Sequence, residues 1–175
     1  MTGGTRSTPI KGSSPARSIA DTTGGTIVAS VDIAAPPERV YRALTTPEEL
    51  VRWWGGEQPY RTTGWHHELR VGGTWKATGQ NNDGSSFSVE GEYPELAPPH
   101  RLVYSWRPSW DQSEVTRVSY SIESIEGGTH LTVRHEGFTN KASCNNHAQG
   151  WTLVLGWLAG HVQPAADSAA RMAPS

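Results

Sequence analysis

The sequence predicts an α+β fold: one curved antiparallel sheet of about seven strands, with a long C-terminal helix closing over it. Three observations carry this. "TIVASVDI" (26–33) alternates apolar and polar residues as a half-buried strand does. Between Tyr60 and Phe138 only strand-like runs and short turns follow one another, which implies consecutive antiparallel pairing. From His147 the apolar residues His147, Trp151, Val154, Leu155, Leu158 and Val162 recur with helical spacing until Pro164.

Each element has its own signal. Residues 1–24 are rich in Gly, Ser, Thr and Pro without periodicity and are expected to be a disordered tail. In the first strand Ile27, Ala29, Val31 and Ile33 share the buried face. "APPERVYRAL" opens on prolines, which a first helical turn tolerates, and Val40, Ala43 and Leu44 form its stripe. In "TPEELVRWWG" Thr46 is the expected N-cap, Glu49 its capping-box partner and Gly55 the stop. Two short helices therefore follow the first strand. Gly72-Gly73 and Asn82-Asp83-Gly84 mark hairpin turns. "PELAPPH" (94–100) reads as a break. One domain is expected over 25–164, with a frayed tail at 165–175.

Composition excludes several classes. The 175 residues carry a formal net charge of −2, too near neutral to mark a nucleic-acid or anionic-membrane surface. One cysteine excludes an internal disulfide framework and a multi-cysteine zinc site. His66, His67 and Glu68 alternate across a strand and cannot converge on one ion. No cofactor, metal, membrane or obligate protein partner is expected, and the cytoplasm is the expected location. Cys144 and His147 could share a helical turn, but Cys144 is expected in an exposed connection, as a bystander.

Strand parity places Trp75, Phe87, Val89, Gly91, Tyr93, Tyr104, Trp106, Tyr120 and His135 on the concave face, with Trp151 and Leu155 coming down from the helix. A helix resting on a curved sheet leaves a cavity unless large residues fill it, and an aromatic-lined cavity suits small-molecule binding. These eleven residues are the candidate ligand site. His135 is the one candidate acid or base among them.

"APPERVYRALTTPEELVRWWG", "LRVGGTWKATGQNNDG", "GEYPELAPPHRLVYSW", "GGTHLTVRHEGF" and "HAQGW" resemble, in order, the successive signatures of the activator of Hsp90 ATPase homologue 1-like family. The resemblance covers roughly residues 26–163. It implies the helix-grip (START/Bet v 1-like) fold, a cavity between sheet and C-terminal helix, and binding of apolar or aromatic molecules. One branch it resembles is the actinomycete enediyne (calicheamicin) self-resistance proteins, which sequester the drug and are cut when its diradical abstracts a backbone hydrogen. A glycine Cα–H on a cavity wall is the hydrogen most readily taken, and Gly79, Gly91, Gly137 and Gly150 are the candidates. The resemblance also leaves open a polyketide cyclase or dehydratase using His135, or a chaperone-accessory module with a filled cavity.

Overall fold

The computed structural model describes residues 15–163. In chain order they form β1 (Arg17–Asp21), β2 (Thr26–Ile33), α1 (Pro37–Thr45), α2 (Pro47–Trp53), β3 (Tyr60–His67), β4 (Thr74–Asn81), β5 (Ser86–Glu92), β6 (Glu95–Ala97), β7 (Arg101–Pro108), β8 (Thr116–Ile125), β9 (Gly128–Glu136) and α3 (Lys141–Val162). The curved antiparallel sheet runs β1-β2-β9-β8-β7-β5-β4-β3, with β6 paired to β7. Together with α3 and the two short helices this is the helix-grip architecture.

Register follows from which face each strand must bury. Val31 lies opposite Leu131, which lies opposite Ile122; Ala29, Val133 and Tyr120 form the next row, and Ile27, His135 and Val118 the next. All nine of these residues are buried. A slip of one residue would push His130, Thr132 and Arg134 into the core. Instead they face outward, where His130 Nδ1 meets Asp32 Oδ1 at 2.6 Å.

Several local features differ from the sequence expectation. Residues 17–21, assigned to the tail, form an edge strand on β2, and Ser18 donates to the Ala148 carbonyl of α3. A five-residue edge strand with one partner needs little apolar periodicity, so composition conceals it. The break at 94–100 contains β6, three residues long and likewise below the reach of a periodicity argument. Residues 1–14 of the expected N-terminal tail and all of the expected C-terminal tail, 165–175, lie outside the described residues.

The capping box at α2 is also absent. Pro47 opens the helix, but Thr46 makes no side-chain cap bond. Glu49 instead accepts from Arg39 Nη1 and His161 Nε2, each at 2.8 Å, with Arg42 Nε at 3.4 Å. The Arg39 guanidinium on α1 and the His161 ring N–H on α3 together outcompete a backbone N–H for the carboxylate. Burial raises the Glu49 pKa, but hydrogen bonds and charge from His161 and Arg39 outweigh it, and the net shift is downward. After Trp54 the chain turns at Gly55, whose φ of 127° lies in the region that favours glycine.

α3 starts earlier than the expected connection. Asn140 caps it by accepting from the Ser143 N–H at 2.9 Å. Glu114, from the loop between β7 and β8, reaches the same end. It accepts from the Thr139 N–H (3.0 Å), the Asn140 N–H (3.3 Å) and the Ser143 hydroxyl (2.9 Å). A carboxylate at a helix N-terminus satisfies orphan donors and opposes the helix dipole. Cys144 therefore lies in the first helical turn and is fully buried, not exposed, and burial pushes its thiol pKa up. Among the described residues no helix is long and apolar enough to cross a membrane.

Candidate ligand cavity

α3 packs chiefly over β1 and β2. The far half of the sheet, β3 to β5, is left beneath the first turns of α3 without backbone contact, and side chains must span the gap. They leave a cavity of about 600 Å³. Small residues make its floor: Ala77 of β4 and Val89 of β5. Its walls are aromatic, with Tyr60, Phe87 and six of the chain's eight tryptophans: Trp54, Trp65, Trp75, Trp106, Trp110 and Trp151. Gly150 and Val154 of α3 line it from above, and Thr62, Asn81, Ser86, Ser109, Asn146 and His147 supply its polar atoms.

The tryptophans hold one another. Trp65 lies nearly flat on Trp75, with ring centres 5.0 Å apart and planes at 14°. Trp54 faces Trp106 at 6.2 Å and presents an edge to Trp151 at 6.0 Å. Trp110 stands at the mouth, more than half exposed, between Phe87 on one side and His147 on the other.

Beneath the wall runs a hydrogen-bonded thread that fixes two indoles. Trp106 Nε1–H donates to His147 Nε2 at 3.2 Å, and His147 Nδ1 contacts the Ser143 carbonyl at 2.8 Å. Trp151 Nε1–H donates to His135 Nδ1 at 3.0 Å, and His135 Nε2 contacts Thr116 Oγ1 at 2.6 Å. An indole N–H can only donate, so the ring nitrogen it meets must accept. This assigns His147 as the Nδ1–H tautomer and His135 as the Nε2–H tautomer, both neutral. The electrostatics agree. Burial, then the adjacent His147, hold the His135 pKa well below the usual histidine range. Burial lowers that of His147, partly opposed by its bond to the Ser143 carbonyl.

The eleven candidate residues separate into two groups. Trp75, Phe87, Val89, Trp106 and Trp151 line the cavity. Gly91, Tyr93, Tyr104, Tyr120, His135 and Leu155 do not. Tyr104 and Tyr120 are deep core residues whose hydroxyls bond each other at 2.6 Å. Tyr93 bonds His67 Nδ1 at 2.9 Å. Leu155 packs in the main core, and His135 sits under Trp106, Phe138 and Trp151 with both nitrogens engaged. Gly91 makes room for the Trp75 ring, since a Cβ there would strike the Ser105 carbonyl and Trp75 Nε1. Trp75 uses that space to donate to the Ser105 carbonyl at 3.1 Å.

Parity identifies the face of a sheet but not the position across it. His135, Tyr120 and Tyr104 are on the concave face, but on β9, β8 and β7. Trp54, Tyr60, Trp65, Trp110 and His147, absent from the candidate set, face the cavity instead. In β3 the pairing shifts between Thr62 and Gly64, so Thr62 and Trp65 both point inward although three residues apart. A bulge of this kind defeats alternation. Among the described residues no three His, Cys, Asp or Glu side chains group as a metal site would require.

No curated protein matches the chain. Solved structures do. Protein CV1439 from Chromobacterium violaceum is 29% identical with a TM-score of 0.73, over 81% of this chain and 99% of that one. A protein from Arthrobacter aurescens, solved by NMR, is 18% identical with a TM-score of 0.73, over 90% and 97%. CalU16 from Micromonospora echinospora is 21% identical with a TM-score of 0.61, over 85% of each. The last two likenesses show a shared fold. The model of the family described as activator of Hsp90 ATPase homolog 1-like protein matches residues 34–163. That match spans both short helices, seven strands and α3, and with it the whole cavity: the chain belongs to the activator of Hsp90 ATPase homolog 1-like family.

Proposed function

We propose that the protein binds an apolar, aromatic-containing small molecule in this cavity and releases it unchanged. One observation carries the reading: a space of about 600 Å³ walled by six tryptophans, with few polar groups. Ligand sites fall in this size range and have this make-up. The histidines favour binding over turnover. His147 lines the space and His135 lies behind it, but each already engages both ring nitrogens. Either could act as a base only by releasing a wall tryptophan. A cyclase or dehydratase built on His135 would need that residue in the wall, and a chaperone-accessory module would fit a filled cavity better. A cytoplasmic location belongs to the same reading.

The specific form of the proposal is sequestration of an enediyne-type natural product, with self-sacrifice. It rests on the sequence resemblance to the resistance branch and on a glycine in a suitable place. Of the four candidate glycines, Gly150 lines the cavity, and a Cβ there would meet nothing within 4 Å. A Cβ at Gly79 would meet Phe87 and Arg61, one at Gly91 would meet Trp75 and Ser105, and Gly137 lies in the turn after β9. The Gly150 Cα–H is therefore the one a bound diradical would reach. The test is titration with an enediyne followed by Trp fluorescence, then thiol activation and mass spectrometry. Binding with a discrete cut at residue 150 is expected. Binding without a cut removes the self-sacrifice, and absence of binding removes the enediyne.

A further inference from the structure

The cavity changes character with depth. Its deep wall is made by Trp54, Trp65, Trp75, Trp106 and Trp151, all buried. Thr62, the polar residue at that depth, spends its hydroxyl on the Trp54 carbonyl. The mouth is a collar of four rings. Tyr60 and Phe87 meet at 5.3 Å between ring centres, Phe87 and Trp110 at 5.9 Å, and Trp110 and His147 at 6.2 Å. Each collar ring is partly or largely exposed, and each has a neutral polar lining residue beside it. Asn81 lies opposite Tyr60 across β3 and β4, Ser86 precedes Phe87, Ser109 precedes Trp110, and Asn146 precedes His147. Ser86, Ser109 and Asn146 are exposed, and Asn81 is partly so. Ser109 Oγ accepts from the Ser88 N–H at 3.0 Å, and Asn81 Nδ2 donates to Ser85 Oγ at 3.0 Å, which holds both in place. A hydroxyl and a carboxamide each offer more than one hydrogen bond, so both keep capacity for a ligand.

Among the described residues no Asp, Glu, Lys or Arg lines the cavity. Its two ionisable side chains are neutral. His147 accepts the Trp106 N–H, and burial raises the Tyr60 pKa. A charged group brought into this space would lose water and find no counter-charge. A neutral polar group costs little to place there if it reaches a hydrogen-bond partner.

We propose that the ligand is an uncharged amphiphile. Its fused-ring end lies between the deep tryptophans, and its other end, an amide or hydroxyl, is held at the collar by Ser109 and Asn146. This rests on the reading of the cavity as a ligand site and adds the charge and polarity of the ligand. The few polar groups of an apolar pocket fix which way round a ligand enters, and here they are gathered at the mouth.

The test uses three probes on one frame: 9-fluorenone, its 2-carboxamide and its 2-carboxylate. The last two are nearly the same shape and differ in charge at pH 7.5. Affinities are measured by equilibrium dialysis for the parent protein and for Asn146→Leu, Ser109→Ala and Asn146→Lys, with circular dichroism to check that each is folded. The parent is expected to prefer the carboxamide to the carboxylate by about tenfold or more. Asn146→Leu and Ser109→Ala should each weaken the carboxamide by about three- to tenfold and leave 9-fluorenone unchanged. Asn146→Lys places a cation at the mouth and should narrow the preference by about threefold. Equal binding of carboxamide and carboxylate by the parent overturns the requirement for a neutral ligand. A carboxamide affinity that none of the three variants changes overturns the placement of its polar end at the collar. Either result, with 9-fluorenone still bound, leaves the cavity reading standing. Binding of none of the probes overturns that reading and this proposal together.

Discussion

Gly150→Ala should make the protein more stable. In most of a folded structure a glycine kept inside a helix is costly, because alanine gives up less conformational freedom there. The difference is about 0.8–1.0 kcal/mol. Gly150 lies in the interior of α3, and its backbone does not need the left-handed region. A Cβ at this position meets nothing within 4 Å, so no clash subtracts from the gain. The net expectation is about 0.8 kcal/mol, or roughly 2–4 °C in Tm for a domain of this size. Gly91→Ala is the opposite control. Its Cβ would overlap the Ser105 carbonyl and Trp75 Nε1, breaking the Trp75–Ser105 bond and spreading β5 from β7. Overpacking and a lost bond together should cost about 2–4 kcal/mol. Urea denaturation at pH 7.5 measures both. A destabilised Gly150→Ala would mean that α3 rests on something at residue 150, and that the cavity is closed where its wall is described as open.

Lowering the pH should weaken the fold before any carboxylate is involved. The folded-state pKa of His135 is depressed, so between that value and about 6.5 the unfolded chain holds a proton that the folded chain does not. Stability is therefore full above about pH 6.5 and falls below it by up to about 1.4 kcal/mol per unit for His135, with a further loss from His147. Glu49, whose pKa is lowered, contributes only as pH falls below about 4.5, so denaturation at pH 7.5 and 5.5 isolates the histidines, and equal stability at the two would contradict their assignment as neutral acceptors. Thr116→Val keeps the shape but removes the partner of His135 Nε2–H. It should cost about 1–3 kcal/mol, and a neutral result would mean that the Thr116–His135 bond contributes nothing to the fold. Glu114→Ala strips the acceptor shared by Thr139, Asn140 and Ser143. A loss of about 2–3 kcal/mol, with faster amide exchange in the first turn of α3, is expected; unchanged exchange would show that Asn140 suffices as the cap.

The fold was largely legible in the sequence because its signals are local. Alternation in 26–33 and 129–135 gave strand and face, Pro47 and Gly55 bounded α2, and the spacing of Trp151, Leu155 and Leu158 gave α3. The site was legible only in part because it depends on non-local order. Nothing within β9 tells His135 that four strands separate it from the open end of the sheet. Trp65 was hidden by the irregular pairing after Thr62, and Glu114 by lying in a loop whose partner is a helix that begins 27 residues later. The signal that pointed the right way was compositional. Eight tryptophans in 175 residues are many, and six of them surround one space.

The most direct measurement uses the indole N–H resonances of ¹⁵N-labelled protein during titration with 9-fluorenone. Binding in the cavity predicts saturable shifts for the wall indoles, and none for Trp53, which is buried outside the cavity with its N–H on the Ala43 carbonyl. Shifts confined to Trp53 and Trp157, or no saturable shift at all, would contradict the account of this cavity as a ligand site.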